Sequence, residues 1–331
     1  SYAGSKYAIG VSNATSALHL SLKALGIGKG DEVIIPDMTF VATASSVILA
    51  GATPVLADIN VDDLNISPKS IEKNITSKTR AIISVHFAGK SCNMNAIRQI
   101  AKKHDLFIIE DCAHALGTKF GGKHVGTFGD AGCFSFYPTK NITTIEGGMI
   151  TTNSKKIADY VQKARNHGIL KSLAQRYTKG KPWEYDVTEA GYNYRIDEIR
   201  SALGLNQLER LEKINHRRRQ ACKYYNQRFH DYEWVETPII TEDDSCHLYI
   251  IRIKKHGSSN RDKIFEKLLK KGIRTSVHYK PLHEFTLLKQ KAKIYEKLEQ
   301  SKNAYKEIIS LPLYPQITRK LQDIVIDTIT Q

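Results

Sequence analysis

Lys140 stands in GCFSFYPTKNITTIEGG, between an apolar run and the Gly147–Gly148 pair. A lysine in a loop is ordinarily a solvated ammonium. Held in a partly dry pocket beside a cationic ring and a phosphate, the same side chain gives up its proton more readily and becomes an amine able to form an imine. The Gly pair lets backbone approach a ligand closely, and Ser135 offers a hydroxyl to a phosphate. Glu110 and Asp111 close the apolar run LFIIED. Read alone, a carboxylate there is a turn or helix-capping residue. The alternative for Asp111 is to face a protonated pyridine nitrogen, keep the ring cationic and make it an electron sink. SNATSALHL puts Ser12, Asn13, Thr15 and Ser16 at the start of a helix, where free N–H groups and the helix dipole attract anions. Plain N-capping accounts for the same residues, although Ala14 and Ala17 also leave room for a phosphate.

Residues of this kind need elements that end at one common edge. EVIIP (32–36), PVLADI (54–59), AIISVH (81–86) and LFIIED (106–111) each follow a helix-like segment, the pattern of a mostly parallel α/β sheet. Met94, Ile97, Ile100 and Ala101 recur at helical spacing and predict a crossover helix. GCFSFY (132–137) and GGMITT (147–152) bracket the Lys140 loop, and open parallel sheets collect ligands beyond the carboxyl ends of their strands. The uncharged run from Phe40 to Ala57 is interrupted by Thr43, Ser45, Ser46, Gly51, Thr53 and Pro54, so it reads as a helix followed by a buried strand rather than a membrane span. After Asp197, a plausible N-cap, Ile199, Ala202, Leu205, Leu208, Leu211 and Ile214 predict a long linking helix over about 197–228. HLYIIRI (247–253), the helix-like RDKIFEKLLKKG (261–272), the strand-like IRTSVHY (273–279) and two further helical segments then suggest a smaller α/β domain. The expected division is a large domain over 1–210 and a small one over 211–331. No internal repeat or low-complexity tract is present.

The chain has 331 residues and a net charge of +15, so polyanions must be considered as partners. Its basic residues, among them Lys102–Lys103, Arg217–Arg219, Lys254–Lys255 and Lys270–Lys271, are scattered over helical segments without interleaved aromatics, which favours solvated faces over nucleic-acid binding. Cys92, Cys112, Cys133, Cys222 and Cys246 form no CxxC pair and no Cys/His ligand spacing. Neither a zinc site nor a disulfide framework is expected, no metal is assigned, and a reducing cytoplasm fits best. The sequence opens abruptly at SYAGSKYAIG, without the pattern of a signal peptide, and an upstream segment is expected.

With these pieces in order, the chain resembles the DegT/DnrJ/EryC1/StrS family of sugar-nucleotide aminotransferases, pyridoxal-phosphate enzymes of the aspartate aminotransferase fold (fold type I). The resemblance runs through SNATSALHL, GDEVIIPDMTFVATA, GATPVLADI, VHFAGK, IIEDCAHALGT, FSFYPTKNITTIEGG, RNHGI, GYNYRIDEIRSALGLNQL and VHYKPLH, nearly the whole chain. It implies that Lys140 holds the cofactor as an imine and later shuttles the proton, that Asp111 faces the pyridine nitrogen, and that His114 lies near the ring. It further implies that Phe40 stacks on the ring, that Thr15 and Ser135 contact the phosphate with Ala14 supplying a backbone approach, and that Asn193 reaches the phosphate of a neighbouring subunit in a homodimer with shared active sites. Arg195, His278 and Tyr279 would lie on the substrate side. Asn13–Ala14 departs from the Ser–Gly pair common in the family, adding a β-carbon at position 14.

The activity implied is transfer of an amino group from glutamate to the ketone of a nucleotide-linked sugar, with C4 of a 4-keto-6-deoxy sugar favoured by SNATSALHL, FAGK, SALGL and VHYKP. Enzymes acting on 3-keto sugars share most of these motifs. Family members that replace the lysine with histidine are dehydratases, and here the residue is lysine. The competing classes are a pyridoxal-phosphate lyase or decarboxylase acting on amino acids, and a non-catalytic regulatory or polyanion-binding protein that keeps the fold.

Overall fold

A computed structural model of the chain describes residues 2–169, 183–254 and 260–331; Lys255, one of the scattered basic residues, lies outside them. The first part runs β1 (Tyr7–Val11), α1 (Ala14–Ala24), β2 (Glu32–Pro36), α2 (Ala42–Leu49), β3 (Thr53–Ala57), α3 (Pro68–Lys73), β4 (Thr79–Val85), α4 (Met94–His104) and β5 (Phe107–Asp111). A small hairpin of β6 (Lys119–Phe120) and β7 (Lys123–His124) follows, then β8 (Ala131–Ser135), β9 (Gly148–Thr152) and α5 (Lys155–Ala164). Among the described residues seven strands form one sheet in the order β1-β9-β8-β5-β4-β2-β3. The pairs from β3 to β8 are parallel, and β9 runs antiparallel to both β8 and β1. A strand covered on both faces needs apolar side chains in both directions, which is why β2, β4 and β5 read as continuous Val/Ile runs.

The helix predicted around Met94 forms as expected. Asn93 caps it by accepting from Ala96 N, Met94, Ile97, Ile100 and Ala101 are buried, and Asp105 ends it at φ 53°. Phe40–Ala57 likewise resolves into α2 and β3, and among the described residues no helix is long and apolar enough to cross a membrane.

The chain continues through α6 (Glu198–Leu208), α7 (Leu211–Phe229), β10 (Val235–Glu236), β11 (Tyr249–Ile253), α8 (Arg261–Lys270), α9 (Thr286–Lys291), α10 (Glu299–Glu307), β12 (Ile308–Leu311) and α11 (Arg319–Thr330). Strands β10, β11 and β12 make a three-stranded antiparallel sheet. Tyr225, Phe229, Tyr249, Ile251, Leu268, Ile309 and Ile326 pack beside it in a core of its own.

Three expectations are corrected. The linking helix over 197–228 is two helices, broken at Glu209–Arg210. Leu211 is drawn into a cluster with Cys112, Val125, Phe134, Phe136 and Ile142, whereas α6 buries no residue, so one straight axis cannot serve both. The strand expected at 273–279 reduces to a single bridge between Ser276 and Ser310. Leu282 N donates to Asp37 O at 2.7 Å and His283 N to Asp37 Oδ1 at 2.9 Å, which pulls the chain off the small sheet towards β2. Arg218 and Arg219 are buried rather than solvated: Arg218 donates to the carbonyls of Cys246 and His247, and Arg219 to that of Asp244.

Candidate active site

The expected site residues collect at the carboxyl edge of the large sheet. Alternation along β5 sends Glu110 and Asp111 to opposite faces. Glu110 is fully buried and accepts from the backbone N–H of Gly126, Phe128 and Gly129 and faces His86 Nε2 at 3.1 Å. It fixes the loop that leads into β8. His86, Glu110 and Cys112 bring metal-ligand atoms within 4.8 Å of one another. The His86 Nδ1 lone pair is taken by Cys92 N–H, and both Glu110 oxygens are taken by protein hydrogens. The cluster is a structural hydrogen-bond network.

Asp111 faces the site. It is 5% exposed and accepts from Thr43 Oγ1 at 3.0 Å and Ala113 N at 3.1 Å. Burial pushes its carboxyl up, against the pull of these two hydrogen bonds and of the nearby Lys140 charge. Lys140 lies in the loop after β8, where Lys140 N donates to Tyr137 O and Thr144 N to Phe136 O. Among the described residues its ammonium has no hydrogen bond or ion pair. Burial lowers it from 10.5 to about 8, opposed by Asp111.

On the other side of the site, His114 is buried, its Nε2 is 3.1 Å from the Tyr279 hydroxyl, and its Nδ1 has no partner. Burial and the Lys140 charge hold its imidazole well below the ordinary histidine range. His278 is lowered to about 4 by burial and by Lys140, and its Nδ1 is 2.8 Å from Ser310 Oγ. Phe40 is 56% exposed with its ring 6.0 Å from that of Tyr279, so one face of an aromatic stands free at the mouth of the site.

The α1 N-terminus is brought to the same edge by strand pairing. Gly148 pairs with Val11 on one side and with Ser135 on the other. A β-carbon at Gly148 would lie 2.5 Å from Asn13 C, so only glycine permits this approach. Asn13 and Ser16 form a capping box, while the N–H groups of Ala14 and Thr15, in the first turn, have no intrahelical acceptor.

The structure thus brings Lys140, Asp111, His114, His278, Tyr279 and Phe40 together, with Ser135 at the end of β8 and Ala14 and Thr15 in the first turn of α1. Asn193 and Arg195 are exposed and are not joined to that group: Asn193 bridges Asn166, and Arg195 Nη1 donates to Asn166 Oδ1 at 2.6 Å. Ser12 N donating to Tyr194 O fixes the segment beside β1. Thr43 bonds Asp111, and Asn141 and His247 bond each other beside His114, neighbours that no sequence pattern marks. Thr43 and His247 sit inside apolar runs that read as core, and Asn141 was overshadowed by the lysine before it.

Chemically the arrangement offers a depressed amine, a buried carboxylate, an imidazole nitrogen without a partner and a helix N-terminus for an anion. The sequence profile of the DegT/DnrJ/EryC1/StrS aminotransferase family matches residues 1–330. The spore coat polysaccharide biosynthesis protein SpsC of Bacillus subtilis is 40% identical over 334 residues, covering 99% of this chain and 86% of SpsC. PseC of Helicobacter pylori, an aminotransferase of pseudaminic acid biosynthesis, superposes with a TM-score of 0.90 at 34% identity, over 99% of this chain and 87% of its own. Spr1654 of Streptococcus pneumoniae, in its PLP-form, gives a TM-score of 0.89 at 32% identity over 99% and 87%. The match over the whole length, on a sheet that carries an amine and a carboxylate at its functional edge, places the chain in the DegT/DnrJ/EryC1/StrS family of sugar aminotransferases, with fold type I.

Proposed function

We propose that this enzyme uses pyridoxal phosphate, held by Lys140, to move an amino group from glutamate to the C4 ketone of a nucleotide-linked 4-keto-6-deoxy sugar for surface glycan synthesis. The observation that carries the reading is Lys140 itself: an amine without a partner among the described residues, lowered to about 8 by burial, within the field of the Asp111 carboxylate. The residues fit the cofactor. Asp111 is the carboxylate for a protonated ring nitrogen, His114 Nδ1 is a buried polar atom lacking a partner, and Ala14 N–H, Thr15 and Ser135 form a donor set for a phosphate. When bound, the cofactor supplies the electron sink that lets a C–H bond beside the nitrogen ionise.

The chain's own groups do the rest. With the cofactor bound, Asp111 would hold the proton on the ring nitrogen, Thr43 holds the Asp111 carboxylate in line, and Lys140 Nζ, once released as a free amine, would carry a proton between two carbons. An amine lowered to about 8 is uncharged in a useful fraction near neutrality, which a solvated lysine is not. Phe40 covers a ring face, and Arg195, His278 and Tyr279 serve the substrate side. Residues 1–210 form the cofactor-binding part and 211–331 the second part in this reading.

A homodimer completes it, with Asn193 reaching a neighbouring subunit's phosphate. The exposure of Asn193 and the unburied α6, on which Ile199 is 84% and Leu205 66% exposed, supports that arrangement. Five buried free thiols are in keeping with a cytoplasmic enzyme.

The test is to incubate the cofactor-loaded protein with glutamate and a panel of UDP-, GDP- and dTDP-linked 3-keto and 4-keto sugars. Formation of 2-oxoglutarate with one 4-keto sugar supports the assignment, and turnover only with a 3-keto sugar moves the amination to C3. No 2-oxoglutarate from any pair would refute the reading.

A further inference from the structure

Asn141, the residue after Lys140, is 7% exposed and uses its whole amide on distant parts of the chain. Its Nδ2 donates to Asn215 Oδ1 on α7 at 2.7 Å and to Ser245 O at 2.8 Å, and its Oδ1 lies 3.1 Å from His247 Nδ1. The orientation is forced. Ser245 O can only accept, and Asn215 must turn its own Nδ2 to Leu116 O at 3.0 Å, leaving Oδ1 for Asn141. Asn141 Oδ1 therefore faces His247, whose Nδ1 must carry the hydrogen.

His247 is 5% exposed, with its ring 4.5 Å from that of His114. Burial, with His114 and Lys140 nearby, keeps it uncharged. Its own segment is strapped in place. Ser245 Oγ donates to His114 O at 3.1 Å, His247 N donates to Ala88 O at 2.9 Å, and Arg218 Nη1 donates to His247 O.

We propose that Asn141 and His247 are positioning residues: the Asn141 amide fixes the Lys140 loop against α7 and the lead-in to β11, and the His247 ring packs His114 from behind. The cofactor-facing lysine and the histidine beside it are thereby referenced to one buried point contributed by the second part of the chain. The inference rests on the reading of Lys140 as the reacting amine, but the anchor itself does not need the cofactor to be observed.

The experiment compares the full chain with Asn141→Leu and with His247→Phe, which keeps a ring against His114. In cofactor-free protein, hydrogen exchange in the segment 137–145 is expected to rise about tenfold or more in Asn141→Leu, with Phe107–Asp111 unchanged, because buried partners lose their hydrogen bonds. With pyridoxal phosphate bound, both variants are expected to lose kcat for the glutamate half-reaction about tenfold while KM stays within about twofold. If Asn141→Leu does not fold, Asn141→Asp, which still accepts from His247 but can no longer donate, takes its place. Wild-type exchange in 137–145 in every folded variant overturns the proposal, as does an unchanged kcat. A wild-type protein that takes up no cofactor at Lys140 overturns the functional reading instead, and the exchange measurement still decides the anchor.

Discussion

Replacing Lys140 with methionine tests the site without any cofactor. Burial lowers the amine from 10.5 to about 8 in the folded chain. Between those values the unfolded chain binds the extra proton, so this residue makes stability rise with pH across that window. Below pH 8 the cost of holding an ammonium there is present in full, and above 10.5 it has vanished. A drop of that size corresponds to about 3 kcal/mol at about 1.4 kcal/mol per tenfold change in proton affinity. Lys140 keeps partial contact with solvent, which reduces the figure to about 1–3 kcal/mol. Lys140→Met, which keeps the stem and removes the charge, should be more stable than wild type near neutral pH, with the difference shrinking as the pH approaches 10.5. Denaturant midpoints of both cofactor-free proteins at several pH values measure it. A variant no more stable than wild type at neutrality, or a gap that does not narrow, refutes the account of the depressed amine.

Thr43→Val keeps the shape of the side chain but removes the hydrogen bond to Asp111. It should weaken retention of pyridoxal phosphate by about tenfold, as for a hydrogen bond to a charged group, read by visible absorbance on dialysis. Glu110→Gln turns an amide donor towards backbone N–H groups that now share a carboxylate. A loss of about 3 kcal/mol is expected in denaturant unfolding, since two such bonds fail at once. Gly148→Ala must push α1 away from β9, because the new carbon would lie 2.5 Å from Asn13 C and 2.9 Å from Ala14 N. Binding of inorganic phosphate and of pyridoxal phosphate should both fall in that variant, and unchanged affinities would argue against an anion site at this helix terminus.

The parts legible in the sequence were those with local causes. Apolar runs of five to six residues gave β2, β4 and β5, helical spacing gave α4, and residue types at strand ends and in the loop after β8 pointed to Asp111, Ser135 and Lys140. β1 was not picked out because an edge strand buries only Ile9 and Val11, too short a signal beside the long runs. β12 is four residues at the foot of a helix, and the residues around Ser276 look strand-like although among the described residues only Ser276 bridges β12, at Ser310. Likewise no local pattern marks Arg218 as buried, since its acceptors are carbonyls of residues 246, 247 and 313. His247 reads as the first residue of an apolar strand, and only the fold reveals that it lies against His114.

The sheet order has a consequence for how the molecule is made. β1 is synthesised well before its partner β9, which begins at Gly148. Until that segment is synthesised the first strand has both edges open, and the glycine that must lie against the start of α1 does not yet exist. Long-range pairing of this kind is slow and exposes unpaired edges. Nascent chains ending before residue 148 should therefore leave Tyr7–Val11 open to proteases and chaperones while β2 to β5 can already pair, so the junction of β1 with the first turn of α1 is among the last places along the large sheet to be completed.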